Sequence, residues 1–592
     1  MNKFAVYHLS DTPWAYPKDE TTLALQIRTA ASDVTRVVVH YKDRYDWYGP
    51  FCVAALEITA TTGLFNYWSG DIKLERNRYR YFFELEDCSG EVACYDERGW
   101  RSLEEEYPEA RAFQYAYIGK ADVYKGREAL NDAIIYQIFP ERFFNGDPTN
   151  DPKNVKPWGG IPGRYSSFGG DLAGIIEKLD HLVELGITLL YLTPVFKSAS
   201  NHKYNIQDYY KIDPQFGSVE EARMLVRLAH EKGIKVYFDA VFNHTGSDFF
   251  AFVDVLKNQE KSKYFDWYHI DSLPVSFEAS NYYTFANFIS TMPKLRTENP
   301  QVRDYFFEVG RYWIREIGID GWRLDVCDEV DHAFWQGFRA ACLEEDPAVA
   351  LVGEIMHEAG AFLNGNELDS IMNYPFKYAM TDFFARRTTT VNEVMDFLAA
   401  NRVIYMEQIT RQMWNLLDSH DTARFITDAK GQRDRLKLAQ AFQFLYIGIP
   451  YIYYGDEIGL DGGHDPYCRR CMLWTEKDQD RELFDYVKTL ITLRKSSPAF
   501  SLGSFREISR QAECILFQRE YKAEVYWCAF NNSDEDRSIA IPRQSLLEVT
   551  PGRVAKLMEL KQIEPVEIDL EQIELDPMEF RVFRINQKEE LR

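Results

Sequence analysis

Four short polar clusters contain the residues of this chain that are best suited to chemistry. Each stands at the end of an apolar run, and they read DAVFNH (239–244), GWRLD (321–325), GE (353–354) and DSHD (418–421). Two facing carboxylates can cleave a glycosidic bond, because one donates a proton while the other attacks the sugar or orients water. Asp325 and Glu354 could form such a pair. Arg323 stands two residues before Asp325, so on a strand their side chains share a face and the guanidinium can keep the carboxylate ionised.

Each cluster taken alone also has an ordinary structural explanation. An Asp after a strand often caps a helix, an Arg–Asp pair is often a structural ion pair, and a histidine can be a satisfied core residue. The position of all four clusters at strand ends favours a common site. Asn243 and Asp421, beside the histidines, favour a functional role for His244 and His420.

Apolar strand candidates separated by helical segments carry these clusters. They span residues 134–139, 187–192, 235–241, 321–326, 350–354, 370–374, 412–417 and 449–454. Asp171 and the capping box of Ser218 and Glu221 start helices, and Gly186 and Gly318 end them. Strands that alternate with helices form a parallel sheet, and eight such units predict an α/β (β/α)₈ TIM barrel with its active site at the carboxyl ends of the strands. A doubly wound open sheet is the alternative.

The flanking segments differ from the barrel in their pattern. Residues 1–125 alternate apolar and polar positions, as at Leu23, Leu25 and Ile27, which predicts an N-terminal β-sandwich. The same pattern returns in residues 505–592 and predicts a C-terminal β-sandwich. The barrel then occupies residues 126–504 and includes an inserted lobe after its third strand, at about 243–300. The Phe and Tyr content of that insertion argues against a disordered loop.

Composition excludes several classes of protein. The 592 residues include 68 Lys and Arg against 92 Asp and Glu, a net charge of −24, which disfavours nucleic acid and anionic membranes as partners. No apolar run is long enough to span a membrane, and the N-terminal segment lacks the apolar core of a secretory signal. Nine cysteines, an odd number, fit reduced thiols in the cytoplasm. The CxxC pair Cys468 and Cys471 lacks a second ligand pair for zinc, so two incidental thiols are the preferred interpretation.

The clusters also resemble a known family. DAVFNH, GWRLDV, GEI and LLDSHD, in this order, are similar to four hallmark regions of the α-amylase family of retaining glycoside hydrolases. MPKL (292–295) resembles a fifth region, typical of the cyclomaltodextrinase, neopullulanase and maltogenic amylase group. The resemblance covers the whole chain, most strongly residues 134–494. It implies hydrolysis of α-1,4-glucosidic bonds in cyclodextrins and maltooligosaccharides, with pullulan, starch, α-1,6 bonds and transglycosylation as further candidates.

Three other functions stay open at this point. An oligo-1,6-glucosidase or another exo-acting α-glucosidase would share the barrel, but the N-terminal sandwich and the MPKL segment argue against it. A non-catalytic carbohydrate-binding protein on the same fold would be expected to lose a catalytic carboxylate. A metal-dependent hydrolase would use Asp239, Asp325, His420 and Asp421 as ligands.

The resemblance assigns roles residue by residue. Asp325 would be the nucleophile, Glu354 the general acid and then base, and Asp421 the carboxylate that stabilises the distorted sugar. Arg323 would orient Asp325, Tyr204 would stack on the sugar ring, and Asp239 and Asn243 would support the site. The full set of expected substrate-binding residues is His202, Tyr204, Asp239, Asn243, His244, Arg323, Glu329, Met356, His420, Asp465 and Arg469.

A second group of oxygen-bearing residues could bind a cation. Its members are Asn145, Asp147, Asn150, Asp151, Gly169 and Asp171. Carboxylate, amide and carbonyl oxygens suit Ca²⁺, although an ordinary Asn-Gly-Asp-Pro turn needs no metal. The resemblance implies a structural calcium here, no redox or nucleotide cofactor, and a homodimer formed through the N-terminal sandwich.

Four positions depart from the pattern of the group. Met356 stands where Trp is usual, Arg296 where Asn is common, Asn205 where Asp follows NHKY, and Cys327-Asp328-Glu329 where Ala-Asn-Glu is usual. Met356 and Glu329 would lie on the acceptor side of the cleft. Since a flexible thioether lacks the rigid stacking face of an indole, acceptor binding is expected to differ from that of typical members.

Overall fold

The computed structural model describes residues 1–102, 111–542, 549–556, 564–566 and 572–587. The chain divides into two compact units. The first consists of Met1–Gly126, Thr388–Arg411 and Gly503–Arg592, and the second of Arg127–Arg387 and Gln412–Leu502.

The N-terminal part of the first unit is an antiparallel β structure. Its strands are β1 (Ala15–Pro17), β2 (Thr22–Ala30), β3 (Val34–Asp43), β4 (Cys52–Thr61), β5 (Phe65–Lys73), β6 (Tyr79–Asp87), β7 (Val92–Asp96), β8 (Gly99–Arg101) and β9 (Phe113–Tyr115). They pair in the order β1-β2-β5-β4-β3-β6-β7-β8, and β9 pairs with β6. Alternate residues of β2 and β6, such as Leu25 and Phe83, enter one core. The predicted sandwich is confirmed for its described strands, and residues 103–110 of that prediction lie outside the described residues.

The second unit contains the closed barrel. Its strands in chain order are β10 (Ile135–Ile138), β11 (Leu189–Leu192), β12 (Phe196–Ser198), β13 (Ile206–Ile212), β14 (Lys235–Ala240), β15 (Gly321–Leu324), β16 (Ala350–Ile355), β17 (Ser370–Asn373), β18 (Trp414–Leu416) and β19 (Ile449–Tyr453). β12 and β13 form a separate antiparallel pair, and the other eight close into a parallel barrel. All eight predicted strands are present. Because β10 pairs with both β11 and β19, the open-sheet alternative is wrong.

The barrel register brings the polar clusters to one end. Asp239 of β14 lies beside Arg323 of β15, and Leu324 lies beside Gly353 of β16. The Asp325 backbone N–H donates to the Ala240 carbonyl at 3.1 Å, so the hydrogen bonding between these two strands continues one residue beyond β15. Parallel strands present their carboxyl ends at the same edge, which places the clusters around one opening.

The helices follow the capping signals in the sequence. They are α1 (Pro140–Phe143), α2 (Leu172–Glu177), α3 (Leu179–Leu185), α4 (Val219–Glu231), α5 (Phe250–Asn258), α6 (Pro300–Ile317), α7 (His332–Glu345), α8 (Tyr374–Met380), α9 (Val391–Val403), α10 (Glu407–Thr410), α11 (Phe425–Asp428), α12 (Arg433–Leu445), α13 (Arg481–Lys495) and α14 (Pro498–Ser501). Ser218 and Glu221 form the expected capping box, and Gly318 ends α6 with a φ of 76°. The helix that Asp171 starts was expected to be continuous. It instead breaks at Lys178, whose ψ of 9° leaves the helical range, and so gives α2 and α3.

The inserted lobe is ordered around its aromatic residues. Phe252 of α5 contacts Tyr268 and Tyr282, with ring centroids 4.9 and 4.7 Å apart. Isolated β-bridges join Tyr268 to Leu295 and His244 to Lys294. These contacts order the insertion and connect it to the segment just after β14, which agrees with the prediction from its aromatic composition that it is not a disordered loop.

The C-terminal part of the first unit consists of two sheets. Their strands are β20 (Ser504–Gln511), β21 (Cys514–Tyr521), β22 (Glu524–Asn531), β23 (Arg537–Ala540), β24 (Val549–Lys556), β25 (Glu564–Val566), β26 (Gln572–Leu575) and β27 (Phe580–Gln587). Six pair in the order β20-β21-β22-β27-β24-β25, and β23 pairs with β26. Trp527, Ile539 and Ile573 share one core between the sheets. The predicted C-terminal β-domain is confirmed for its described strands, and residues 543–548, 557–563, 567–571 and 588–592 of that prediction lie outside the described residues. Within the described residues, no helix is long and apolar enough to cross a membrane.

Candidate active site

One buried guanidinium lies at the centre of the predicted site. Arg323 Nη1 is 3.0 Å from Asp239 Oδ1 and 2.8 Å from Asp325 Oδ1, and Nη2 is 2.7 Å from Glu354 Oε1. These three carboxyls come from the ends of β14, β15 and β16, so the geometry joins three of the four clusters. The Val326 backbone N–H donates to Glu354 Oε2 at 3.0 Å and fixes the second oxygen of that carboxyl.

The charges of this group do not balance, because three carboxyls face a single guanidinium. Burial raises the pKa of the Asp325 carboxyl, and the negative charge of Glu354 raises it further, whereas Arg323 lowers it. Burial likewise raises the pKa of Glu354 against the opposing effect of Arg323, with Asp421 adding to the rise. The group therefore favours one protonated and one ionised carboxyl side by side, which is the state that acid-assisted displacement requires.

The fourth cluster supplies Asp421, and each of its two carboxylate oxygens has a partner from the protein. Arg469 Nη2 lies 3.0 Å from Asp421 Oδ1, and His420 Nε2 lies 3.1 Å from Asp421 Oδ2. Burial alone would raise the pKa of Asp421, but His420 and Arg469 outweigh it and lower that pKa. Arg469 also pairs with Asp465 at 3.0 Å, so the two predicted residues of the loop after β19 act together on Asp421.

His420 is oriented by contacts on both ring nitrogens. Gln137 Nε2 donates to His420 Nδ1 at 2.7 Å, which leaves the proton on Nε2. The Tyr204 hydroxyl lies 2.6 Å from that Nε2 and donates to Asp239 Oδ2 at 3.0 Å. The Tyr204 and His420 rings are parallel, with centroids 5.5 Å apart. Burial lowers the pKa of His420 to about 3, so a neutral ring donates its N–H near neutral pH.

His244 offers a hydrogen-bonding atom that the protein leaves unused. The Asn243 side-chain amide lies 3.4 Å from His244 Nδ1, and the buried Nε2 lacks a hydrogen-bond partner among the described residues. Burial lowers the pKa of His244 to about 3, with the charge of Lys294 adding to the effect. His202, the other predicted histidine, accepts from the Tyr204 backbone N–H at 3.1 Å, and burial lowers its pKa to about 3 as well. Since a buried polar atom without a partner is costly, a ligand hydroxyl is a suitable partner for His244.

The predicted acceptor-side residues follow directly after the two central carboxyls. Glu329 ends the short 3₁₀ helix Cys327–Glu329, which begins two residues after Asp325. Met356 stands two residues after Glu354 and is 42% exposed. Both side chains are partly exposed close to the central carboxyls in sequence, and their role on the acceptor side stays a prediction.

Two residues that position the site were absent from the predicted set. Gln137 of β10 orients His420, and the Tyr191 hydroxyl of β11 donates to Asp239 Oδ2 at 2.6 Å. Each is a residue with a polar group in the middle of an otherwise apolar strand. A polar atom on a fully buried strand requires a partner, and that signal could have identified both.

The candidate calcium residues come together, but their oxygens divide into two sets. The Asp171 carboxylate caps α2 through Gly174 N at 2.7 Å and also accepts from Asn150 Nδ2 at 3.0 Å. The Asp147 carboxylate accepts from the Thr149 backbone N–H at 3.0 Å. These two carboxylates are therefore used by the protein itself.

The remaining oxygens of this group fit a cation. Asn145 Oδ1 and Asn150 Oδ1 are buried without a hydrogen-bond partner in the described part of the chain. Asp151 lies beside them, since its Oδ1 accepts from Asn145 Nδ2 at 2.8 Å. Gly169 has a φ of 83°, and a Cβ there would lie 2.1 Å from Asp151 Oδ1, so the backbone closes tightly on these atoms. Such an all-oxygen set matches Ca²⁺ chemistry.

The arrangement gives no support to a metal centre among the carboxyls of the candidate site. Asp239 and Asp325 already share the Arg323 guanidinium, and Asp421 is paired with Arg469. Among the described residues, no three His, Cys, Asp or Glu side chains are grouped so as to hold a metal ion. Arg323 and Arg469 are the cations that lie against these carboxyls.

Comparison with known proteins identifies the family. The model of the α-amylase catalytic domain matches residues 137–503, and the model of the α-amylase N-terminal Ig-like domain matches residues 1–119. The chain belongs to the α-amylase family. It is a glycoside hydrolase of that family, as the hallmark regions predict.

The similar proteins specify the group within the family. The cyclomaltodextrinase of Thermoanaerobacter pseudethanolicus is 46% identical over 565 residues, which cover 95% of this chain and 97% of that protein. The neopullulanase 2 of Thermoactinomyces vulgaris is 44% identical over 545 residues, 91% of this chain and 92% of that protein. A solved cyclomaltodextrinase structure matches with a TM-score of 0.93 and 40% identity over 99% of this chain and 100% of that one. The predicted resemblance to this group is confirmed.

Proposed function

We propose that this α-amylase family member is a retaining α-glucan hydrolase that cuts α-1,4-glucosidic bonds. The observation that carries the proposal is that one guanidinium, Arg323, contacts both Asp325 and Glu354 through adjacent nitrogens. Two carboxyls that share one guanidinium fit the separation of about 5 Å between the catalytic carboxyls of retaining enzymes. They fit less well the roughly 6.5–9.5 Å found in inverting enzymes. The similarity to cyclomaltodextrinases and a neopullulanase supports α-glucans as the substrate class.

In the first step, Asp325 attacks C1 of the sugar while Glu354 protonates the leaving oxygen. Arg323, 2.8 Å from Asp325 Oδ1, favours the anionic form of Asp325 and opposes the rise in pKa that burial causes. Burial raises the pKa of Glu354 and so favours its protonated form. Once Asp325 is bonded to the sugar its negative charge is gone, so Glu354 releases its proton more readily and acts as the base that activates water.

The remaining polar groups would bind hydroxyls of the same sugar. His420 presents a neutral N–H, His244 presents the unpartnered Nε2, and Asp421 presents a carboxylate with a lowered pKa. Hydrogen bonds that shorten as the ring flattens stabilise the transition state more than the ground state. The Tyr204 ring, which lies parallel to that of His420, would stack on the same sugar.

The substrate range is tested by comparing initial rates on β-cyclodextrin, maltotriose, pullulan, soluble starch and glycogen, with identification of the products. The proposal expects the highest kcat/KM on the cyclodextrin and the maltooligosaccharide, with weaker cleavage of pullulan and of α-1,6 bonds. Activity confined to isomaltose would instead support the oligo-1,6-glucosidase alternative. Binding of these sugars without cleavage would support the non-catalytic alternative.

Replacing Met356 by Trp is expected to raise the ratio of transglycosylation to hydrolysis by about threefold to tenfold. This is the change in acceptor binding that the free energy of one aromatic stacking contact would produce. The half-exposed thioether offers an acceptor sugar no flat face. The ratio is measured from the products of maltotriose with added glucose. Met224→Trp on the surface of α4 is the matched control. A ratio equal to that of the unmodified enzyme would contradict the proposed acceptor role.

We propose a structural Ca²⁺ bound by Asn145 Oδ1, Asn150 Oδ1, the Asp151 carboxylate and the Gly169 carbonyl, where it would stabilise the segment after α1. Since a ligand that binds only the folded chain stabilises it, Ca²⁺ is expected to raise the melting temperature by several degrees over that in chelator. Asn145→Leu with Asn150→Leu should abolish this difference, whereas Asn364→Leu should retain it. Equal melting temperatures of the unmodified enzyme with Ca²⁺ and with chelator would contradict the site.

We infer a cytoplasmic homodimer that associates through residues 1–125. All nine cysteines, each within the described residues, are free thiols, which supports a reducing compartment. Tyr45, Trp47 and Tyr48 lie in the connection between β3 and β4 with exposures of 54%, 54% and 99%, and exposed aromatic groups of this kind mark protein interfaces. Light scattering of the full chain and of a form lacking residues 1–125 tests the association.

A further inference from the structure

Lys203, in the loop between β12 and β13, carries a fully buried ammonium group. Its Nζ lies 3.0 Å from Asp213 Oδ2 and donates to Gln215 Oε1 at 3.1 Å and to the Ser198 carbonyl at 3.4 Å. These three oxygens account for the three protons of an ammonium group. The centroid of the Phe216 ring is 5.0 Å from the same Nζ. Since a buried charge is costly unless it is paired and hydrogen-bonded, these partners hold the lysine in one place.

The counter-ion of this lysine is itself fixed by the backbone. Asp213 Oδ2 accepts from the Ser198 backbone N–H at 2.8 Å, and Asp213 Oδ1 accepts from the Gln215 backbone N–H at 2.9 Å. The Asp213 backbone N–H donates to the Val195 carbonyl at 2.9 Å. The ion pair is therefore tied to the chain both before β12 and after β13.

The backbone of Lys203 adopts a conformation that is uncommon for a residue with a side chain. Its φ of 64° lies in the left-handed region. Its N–H donates to Ser200 Oγ at 3.0 Å. The rings of its two neighbours, His202 and Tyr204, stack with centroids 5.8 Å and planes 28° apart. Because a strained conformation persists only where its surroundings impose it, we attribute this turn to the anchored ammonium group.

Tyr204 extends from this turn into the candidate active site. Its hydroxyl donates to Asp239 Oδ2 at 3.0 Å and lies 2.6 Å from His420 Nε2. Its ring is parallel to that of His420. The position of the Tyr204 ring therefore depends on the loop that Lys203 anchors as well as on the ends of the barrel strands.

We propose that Lys203 is a positioning residue for the hydrolytic reaction, acting through Tyr204. The inference rests on the function proposed above, in which the Tyr204 ring stacks on the sugar at the scissile bond. Since Lys203 directly precedes Tyr204, its ion pair with Asp213 fixes the backbone from which the ring projects. A group near the reacting atoms that is misplaced by about 1 Å can lower the rate by about 10²-fold, so a buried ion pair behind the ring can control the reaction without contacting the sugar.

The first test compares kcat and KM for maltotriose in the full-length enzyme and in Lys203→Met. The value of kcat is expected to fall by about 10²-fold. The value of KM should change far less, because precise placement at the scissile bond matters most in the transition state. Lys211→Met is the matched control, since it removes an exposed ammonium group of β13 that pairs with Asp208 at 2.8 Å. It should leave both constants unaltered.

Coupling to Tyr204 distinguishes positioning from a general loss of structure. Tyr204→Leu should lower kcat, and adding Lys203→Met to it should lower kcat little further, because residues that act through one another are not additive. Gln215→Leu is a milder variant, which removes one acceptor of the ammonium group and leaves the ion pair with Asp213 in place. It should lower kcat by a smaller factor than Lys203→Met and should fold even if Lys203→Met does not.

A crystal structure of Lys203→Met, or of Gln215→Leu, gives a readout that does not depend on activity. The expected result is a Tyr204 hydroxyl displaced from Asp239 and His420. Tyr204 with both contacts retained, an unchanged kcat, or fully additive effects of Lys203→Met and Tyr204→Leu would each overturn the assignment. Failure of the proposed function would appear separately, as hydrolysis of maltotriose that persists in Asp325→Asn.

Discussion

Replacing Asp325 by Asn is expected to lower kcat on maltotriose by about 10⁴-fold or more, the scale of loss when a covalent nucleophile is removed. An amide of the same shape cannot form the ester with C1. Arg323 would still be paired with Asp239 and Glu354, so the barrel should remain folded. The measurement is kcat with a circular dichroism spectrum of each variant.

The control for this substitution is Asp180→Asn, which makes the same change on the exposed surface of α3, where Asp180 pairs with Lys232. It should retain the activity of the unmodified enzyme. If Asp325→Asn kept hydrolysis within tenfold of the unmodified enzyme, the nucleophile would have to be another group, and the roles of Asp325 and Glu354 would both need reassignment.

Replacing Arg323 by Met is expected to abolish activity and to destabilise the second unit by about 3–5 kcal/mol, the cost of breaking a buried ion pair from one side. The guanidinium is fully buried and contacts Asp239, Asp325 and Glu354. Without it, three buried carboxyls lose their common counter-charge, and Asp325 loses the cation that favours its anionic form. Urea unfolding followed by tryptophan fluorescence measures the loss of stability.

The same substitution predicts a particular dependence on pH. Burial already raises the pKa of Asp325 and Glu354 in the folded chain, and removing Arg323 raises it further. A carboxyl whose pKa is raised by folding stabilises the fold below its unfolded pKa, and this stabilisation is lost as the pH rises through the folded value. The destabilisation of Arg323→Met should therefore be larger at pH 8 than at pH 5.

Arg227→Met removes an exposed ion pair with Glu231 on α4 and serves as the control. Its effect should stay below about 1 kcal/mol at either pH, as for other surface pairs. Two results would contradict the charge balance described for the site. One is an unchanged free energy of unfolding in Arg323→Met, and the other is a loss of that free energy that grows as the pH falls.

The architecture was predictable from the sequence because its signals are local. Apolar runs ending in polar residues marked the barrel strands, and caps such as Ser218 and Gly318 marked helix ends. The break at Lys178 was not predictable, since the apolar positions of α2 and α3 continue the same helical period. The strand order also predicted that Asp325 and Glu354 lie close together, because neighbouring parallel strands end at the same edge of the sheet.

The finer connections of the site depend on distances that no local pattern contains. Gln137 and Tyr191 orient residues that are far along the chain, and their partners become evident only when the barrel closes. The link between Lys294 and Glu329 joins the lobe to the end of β15 across 35 positions of sequence. Asp171 was predicted to start a helix, and its carboxylate caps α2, whereas the role of its group in binding Ca²⁺ stays a prediction.

The most direct test of the central claim is to identify the residue that becomes bonded to the sugar. The enzyme is incubated with 5-fluoro-α-D-glucosyl fluoride, which forms the intermediate faster than it is hydrolysed, and digested for peptide mass spectrometry. The account predicts one glucosyl adduct, on Asp325, that is absent when the enzyme is first saturated with maltotriose. An adduct on another residue, or turnover of the reagent with release of the β-anomer and without any adduct, would contradict it.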